Sequence, residues 1–336
     1  MTANLLITGA TGFLGRHILE ELEKSDINDT LGIKHIRLFV RSVEKVKDIS
    51  SKKFSIELFE GDLIDFESLK KATIDITHVL HVGALYKIHG KWKNFKKINI
   101  DATKILLDSL NPRATFILTS SIAVYGAKIF NNGKPIQEDY EPKKPYWHYQ
   151  KSKYLQEAEA RKICKEKNIN FVAIRPPSIH GRGDWTGAYE MIENVDKGRM
   201  MLLHKGKGIL PVAHPSDVAK AHILALKNAE KVNGEAFHMC SFSTTLKDYV
   251  NAIAQAIDKK PITRSIPYWM LYSTAFLLDL LPINTSITKF TVKFLGCSIN
   301  IDTTKIEEQL GFKPEKKQEE VIKEITDWYK DFKNKK

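Results

Sequence analysis

The chain has 336 residues, long for one core and short for two independent ones, so a large domain carrying a smaller lobe is expected. Hydrophobic content of 43% and charged content of 27% describe an ordinary soluble globular protein, not a fibrous or disordered one. The 52 Lys and Arg against 40 Asp and Glu give a net charge of +12. The lysines are spread along the chain, so solubility accounts for the charge as readily as nucleic acid, anionic membrane or phosphorylated ligands, and no nucleic-acid motif accompanies it.

The opening "MTANLLITGATGFLG" has no charged leader and no long apolar run, so no signal peptide and a cytoplasmic location are expected. "NLLITG" reads as a strand and "FLGRHILEELEK" as a helix. "HIRLFVR", "FSIELFEGD", "HVLHVGA" and "TFILTSS" are further strands, with helical patterns between them such as "KNFKKINIDATKILLDSL" over 93–110. This alternation predicts an α/β protein built of βαβ units on a doubly wound parallel sheet, with a dinucleotide-binding domain over 1–175. After "NFVAIRPPSI" (170–179) the pattern loosens into a smaller, interleaved lobe over 176–336, some segments of which return to the first sheet. "VAHPSDVAKAHILALKNA" gives a turn and a helix, and "TTLKDYVNAIAQAI" another, with Thr244 or Thr245 as N-cap. The end reads as a short helix, a Gly/Pro break and a terminal helix. Without a linker, the second lobe is expected to close a cleft against the first.

"IPYWMLYSTAFLLDLLP" (266–282) is apolar, but shorter than the ~20 residues a span needs, and it contains Asp279. A buried helix is the favoured reading, with a helix dipping into a membrane surface as the alternative. Cys164, Cys240 and Cys297 lie far apart with no metal-ligand spacing, and their odd number argues against a disulfide framework, so neither a metal site nor an oxidising compartment is expected.

Gly9, Gly12 and Gly15 stand between the first strand and the first helix. A tight turn needs positive φ, a pyrophosphate needs backbone at close range, and the helix must pack close to the sheet. The helix N-terminus, with Thr11, Gly12, Phe13 and Leu14 around it, then offers free N–H groups to phosphates. Because the glycines follow an apolar strand and open an amphipathic helix, they predict a dinucleotide site. An NAD-specific fold usually ends its second strand in a carboxylate that grips the ribose 2′-hydroxyl; here that strand ends in Arg41 and Ser42. Arg41 suits a 2′-phosphate, so NADP is favoured over NAD, with Lys45 as a candidate helper. After the third strand, Asp62 is placed to meet the adenine amino group, or to cap the next helix, and Leu63 to pack near the ring.

Ser120 and Ser121 end the fifth strand, on the carboxyl side of the sheet where ligands bind. In "YWHYQKSKYL" (146–155), Tyr149 and Lys153 are four apart, about 40° of rotation and about 6 Å of rise on a helix, so they share a face. Tyr146 and Tyr154 have no lysine at that spacing, and Lys151 lies on another face. A nearby ammonium is expected to lower the phenol's pKa from about 10. Tyr149 could then exchange a proton with a substrate hydroxyl, while Ser121 hydrogen-bonds the same oxygen.

"TGATGFLG", "TSSIAVYG" and "YQKSK", in this order, resemble an extended short-chain dehydrogenase/reductase over nearly the whole chain. The resemblance implies a Rossmann fold, a C-terminal substrate lobe and a Ser–Tyr–Lys centre of Ser121, Tyr149 and Lys153, with the lysine also binding the nicotinamide ribose. It places Asn99 as the family's helix-four asparagine, linked to active-site organisation or a proton relay. Pro176, Pro177 and Ser178 match the segment that approaches the nicotinamide carboxamide, and His180 stands where a tyrosine is usual. Gly83, where alanine is common, and Ala84 leave room for the cofactor. Homodimerisation through two helices is common in the family.

"SSIAVYG" lacks the acidic pair of sugar-nucleotide dehydratases. "RPPSIHGRGD", the 266–282 stretch and the LGFxP ending look like the 3β-hydroxysteroid dehydrogenase and dihydroflavonol reductase branch. The expected activity is therefore an NADP- or NAD-dependent interconversion of a secondary alcohol and a ketone on an apolar substrate: sterol-, isoprenoid-, polyketide- or flavonoid-like. Tyr86, Tyr125, Tyr146, Trp147, Trp185, Trp269 and His180 are candidate pocket residues, each of which could instead be ordinary core. A nucleotide-sugar epimerase, drawing on Arg182, Arg199 and Lys205 for a diphosphate, is the alternative, and a non-catalytic cofactor-binding scaffold a second.

Overall fold

Strand β1 (Ala3–Thr8) alternates its side chains between two cores: Leu5 and Ile7 face one, Leu6 the other. The same alternation runs through β2 (Ile33–Val40), β4 (His78–His81), β5 (Thr115–Thr119) and β6 (Asn170–Arg175), which is why these strands read as nearly continuous apolar runs. With β3 (Ser55–Glu60) and the short β10 (Ala236–His238) they form a seven-stranded parallel sheet of order β3-β2-β1-β4-β5-β6-β10. Helices Phe13–Lys24 and Pro215–Lys227 cover one face; Phe66–Ala72, Ala102–Ser109 and His148–Lys167 cover the other. This is the doubly wound Rossmann arrangement, and its strand order reverses between β1 and β4. The computed structural model describes residues 3–44, 46, 49–130, 133–142, 145, 147–280, 285 and 287–335.

The smaller lobe is built on β7 (Ser178–Ile179), β9 (Ile209–Ala213) and β11 (Phe242–Thr245), with β9 parallel to β7 and antiparallel to β11. A two-stranded pair, β8 (Leu202–Leu203) with β12 (Ser265–Ile266), lies beside them. Helices Ala188–Asp196, Leu246–Ala256 and Gln318–Asn334 share one core in this lobe, and Thr245 is the N-cap of the second. The lobe is interleaved with the first: β10 and helix Pro215–Lys227 both belong to the large sheet.

Two expectations change. The helix over 93–110 is interrupted: Lys96–Asp101 forms a π-helical turn between Trp92–Phe95 and Ala102–Ser109. The segment expected as a buried helix is Tyr268–Leu278, and of its residues only Ala275 is buried. One side packs against helix Lys289–Gly296; the large apolar side chains on the other are mostly exposed, with Lys289 Nζ 5.2 Å over the Phe276 ring. Lys45, Tyr146 and the last residues of 266–282 lie outside the described residues.

Candidate active site

The site begins where β1 and β4 part. Gly9 turns with φ of 73°, and a Cβ there would stand 2.7 Å from the Gly83 Cα. A Cβ at Gly15 would meet the Gly9 carbonyl at 2.2 Å, so the helix packs against the turn only because both positions are bare. Gly12 is the N-cap of Phe13–Lys24, and no side chain caps that helix, which leaves its first-turn amides facing the crevice. A Cβ on Gly12 would approach only the Gly9 oxygen, at 3.2 Å, so the turn is open on its outer side. Thr11, Phe13 and Leu14 surround this cradle, which fits a dinucleotide pyrophosphate. Leu63 Cδ1 lies 3.1 Å from the Cβ position of Gly83, and Ala84 is exposed beside it. Asp62 accepts a hydrogen bond from Ile64 N at 3.1 Å, and the next helix is capped by Asp65 instead. Arg41 is exposed at the end of β2, with no hydrogen-bond or ion-pair partner among the described residues.

Ser120 and Ser121 sit at the carboxyl end of β5 and point different ways. Ser120 is buried and donates to Glu157 Oε2 at 2.6 Å. Ser121 accepts from Ala123 N at 3.1 Å, which starts the 3-10 turn Ile122–Ile129, and its side chain acts on the Tyr149 phenol to lower its pKa. Tyr149 and Lys153 lie one turn apart on helix His148–Lys167. Lys153 Nζ is 2% exposed and donates to Thr119 O at 2.6 Å and Gln156 Oε1 at 2.8 Å, not to the phenol. Burial pulls its pKa from 10.5 to about 7, with the Glu157 carboxylate acting the other way. The Tyr149 pKa therefore moves opposite to expectation: burial and then Tyr86 raise it, and only the Ser121 side chain opposes them. In the protein alone, desolvation sets the phenol's pKa, and Lys153, turned to Thr119 and Gln156, does not counter it.

Sequence reasoning missed the polar chain behind Lys153. Gln156 Nε2 donates to Thr103 Oγ1 at 2.9 Å, Thr103 Oγ1 meets His81 Nε2 at 2.9 Å, and His81 Nδ1 meets Thr8 Oγ1 at 2.7 Å. Thr8 Oγ1 in turn accepts from Gly83 N at 3.2 Å, so lysine and glycine turn share one hydrogen-bonded chain. On the other side, His222 Nε2 meets Thr119 Oγ1 at 2.7 Å. Burial, with Lys153 adding to it, holds His81 down at about 3 and His222 at about 4, so both are neutral. Glu157 could have been noticed, since it lies one helical turn beyond Lys153. The histidines carried no local signal.

Asn99 lies on the π-helical turn and is fully buried. It accepts from Leu85 N at 2.7 Å, and donates to Leu85 O at 3.1 Å and Ser152 Oγ at 2.8 Å. It ties the loop after β4 to the tyrosine helix without touching Tyr149 or Lys153. Pro176 O accepts from Ile122 N at 3.2 Å and so adjoins Ser121, while Ser178 pairs with Val212 in the small sheet.

Among the aromatic candidates, Tyr86 stands edge-on to Tyr149, ring centroids 5.0 Å apart, and is half exposed. Trp147 lies 5.2 Å from Tyr149 and 4.4 Å from Phe290, a residue of the second lobe that the sequence did not single out. Tyr125 is not at the cleft. It is 1% exposed, and its hydroxyl meets His238 Nε2 at 2.7 Å and the Arg175 guanidinium, because the 3-10 turn folds it into the core. His180 is likewise a core residue: it is 4% exposed, its Nδ1 meets Tyr249 OH at 2.8 Å, and burial lowers its pKa. Trp185 packs on Trp328 and Phe332, and Trp269 is 71% exposed on the outer helix. Among the described residues, no cluster of His, Cys, Asp or Glu could hold a metal ion.

A doubly wound sheet, a bare glycine turn at its switch point and a Ser–Tyr–Lys group at the end of β5 define a nicotinamide-dinucleotide oxidoreductase of the extended short-chain type. Residues 5–240 match the NAD dependent epimerase/dehydratase family, and the chain belongs to it. It is 25% identical over 326 residues to sterol-4-alpha-carboxylate 3-dehydrogenase, decarboxylating, of Mus musculus, covering 92% of this chain and 86% of that one. It is 24% identical over 318 residues to N-acetyl-alpha-D-glucosaminyl-diphospho-ditrans,octacis-undecaprenol 4-epimerase of Escherichia coli O157:H7, covering 91% and 89%. The fold is shared with UDP-glucuronic acid 4-epimerase of Bacillus cereus in complex with NAD, at TM-score 0.75, 17% identity and coverage of 98% and 99%.

Proposed function

We propose that this enzyme interconverts a secondary alcohol and a ketone on an apolar, sterol- or isoprenoid-like substrate. The observation that carries the reading is the phenol of Tyr149, one helical turn from Lys153, acted on by Ser121 and walled by Tyr86, Trp147 and, through Trp147, Phe290. The bound nicotinamide supplies or accepts the hydride. Tyr149 Oη gives or takes the hydroxyl proton, Ser121 Oγ donates to the same oxygen as charge gathers on it, and Lys153 supplies positive charge one turn away. Asn99 and Gln156 act as positioning residues for the loop and the lysine. Burial raises the Tyr86 pKa to about 12, and the second-lobe carboxylates Asp184 and Glu190 add to it; the same negative charge would disfavour a substrate diphosphate there. The relative named for a sterol carboxylate supports a polycyclic apolar skeleton. Arg41, exposed at the end of β2 with no partner among the described residues and no carboxylate at that strand end, supports NADP over NAD.

The test is a nicotinamide-absorbance screen of hydroxysteroids, isoprenoid alcohols and UDP-sugars with both cofactors. Tyr149→Phe should lose turnover on the order of a hundredfold or more while still binding cofactor. Full activity in that variant, or UDP-sugar epimerisation without net cofactor reduction, would overturn the reading.

A further inference from the structure

Nine of the eleven residues of helix Tyr268–Leu278 are apolar, all but Ser273 and Thr274, a composition that belongs to a largely buried helix. Only one side is covered, where Tyr268, Leu271, Tyr272 and Ala275 pack with Leu203 and Val292. On the other side Trp269, Met270, Phe276, Leu277 and Leu280 are 71%, 41%, 48%, 63% and 69% exposed. Spacing places Trp269, Met270, Phe276 and Leu277 on one strip of the helix, with exposed Ser273 among them and Leu280 just past its end, a mainly apolar patch of the kind that marks an interaction site.

The charges around the strip indicate what covers it. Residues 258–293 hold five cations, Lys259, Lys260, Arg264, Lys289 and Lys293, against two anions, Asp258 and Asp279, with Lys259 paired to Asp196 at 3.1 Å. Asp279 is itself paired with Lys289 at 3.6 Å, and Lys260 and Arg264 are exposed at the foot of the helix. A tryptophan-bearing apolar strip with a cationic rim matches an anionic bilayer interface. A second copy of this chain would bring like charge against like charge. No described helix is long and apolar enough to cross a membrane, so the contact lies in the surface plane.

We propose that helix Tyr268–Leu278 docks the protein on anionic lipid bilayers, with this strip sunk to the headgroup boundary. A pocket of about 280 Å³, with Ile88, Trp147, Tyr272 and Phe290 on its apolar side and Asp279, Lys289 and Lys293 on its polar side, adjoins the helix. Trp147 connects it to Tyr149, so the docked orientation brings a bilayer-dissolved substrate to the phenol. That route rests on the proposed reaction; the docking rests on the strip and its rim alone.

Flotation of the full chain with vesicles of phosphatidylcholine and phosphatidylglycerol, and with phosphatidylcholine alone, reads docking without turnover. The protein should rise with the anionic vesicles and much less with the neutral ones. Trp269→Ser and Leu277→Ser should each cut binding roughly tenfold, and Arg264→Ala about fivefold. All three are surface changes, and unchanged circular dichroism would confirm that the fold is kept. Absence of anionic-vesicle binding, or binding that survives all three changes, would overturn the proposal. So would a dimer in lipid-free sedimentation velocity that Leu277→Ser dissolves, since a second copy would then cover the strip.

Discussion

Glu157 gives the sharpest test of how the site is held. Its carboxylate is 4% exposed and accepts from Ser120 Oγ at 2.6 Å, Arg175 Nε at 3.0 Å, Arg175 Nη2 and Arg161 Nη2. Burial alone would push its pKa up, but the Arg175 charge and hydrogen bonds, with Ser120, bring it from 4.5 down to about 2. That displacement corresponds to about 3 kcal/mol. Glu157→Gln keeps the shape but leaves the Arg175 guanidinium, 8% exposed, without its counter-charge. Losing one partner of a buried pair costs about 3–5 kcal/mol, so the two routes agree. Urea unfolding at pH 7, followed by far-ultraviolet circular dichroism, should show that loss. The pH dependence carries the sign. The folded pKa lies below the unfolded one, so the stabilisation is full above pH 4.5 and fades as pH falls towards 2. The gap between wild type and variant should narrow by about 2 kcal/mol at pH 3. A loss under about 1 kcal/mol at pH 7, or a gap unchanged at pH 3, would refute the reasoning.

Tyr125→Phe should cost about 1–3 kcal/mol by removing the hydroxyl between Arg175 and His238, with KM unchanged; an altered KM at full stability would return Tyr125 to the substrate wall. Gly9→Ala must force a Cβ against the Gly83 backbone at 2.7 Å from a φ of 73°, so nicotinamide-fluorescence titration should show affinity falling by roughly tenfold or more. Equal affinity in that variant would mean the turn has room to spare. His81 and His222 titrate at about 3 and about 4 in the folded chain and at 6.5 unfolded, so the unfolded state binds more protons below pH 6.5. Stability should therefore begin to fall as pH drops below 6.5, before the carboxylates titrate, and equal urea midpoints at pH 7 and pH 5.5 would contradict this.

What could be read from the chain depended on whether a signal was local. The glycine turn is defined by three bare positions within seven residues, and Tyr149 with Lys153 by one turn of helix; both geometries follow from short spacings. The alternating strands were visible because each is buried on both faces. Tyr125 misled because its distance from Ser121 in sequence says nothing about the turn's direction, which the 3-10 geometry and the kink at Gly126 decide. His180 needed Tyr249, 69 residues on within the second lobe, and Trp147 needed Phe290, a contact made only when the lobes fold together. Asp62 and Asp65 are both plausible caps by type, and backbone geometry selects Asp65. The exposure of Tyr268–Leu278 was hidden because apolar composition alone predicts burial.

Strand β10 is only three residues long, yet it and helix Pro215–Lys227 complete the large sheet and its cover. A chain cut after Arg175 would expose the β6 edge, and Ile117, Val172 and Ile174 would lose the apolar cover of helix Pro215–Lys227. The two lobes are therefore one cooperative unit, not exchangeable modules. New specificities in such an architecture must arise by lengthening or reshaping the segments strung between the returning elements, because the substrate half cannot be replaced without unfolding the cofactor half.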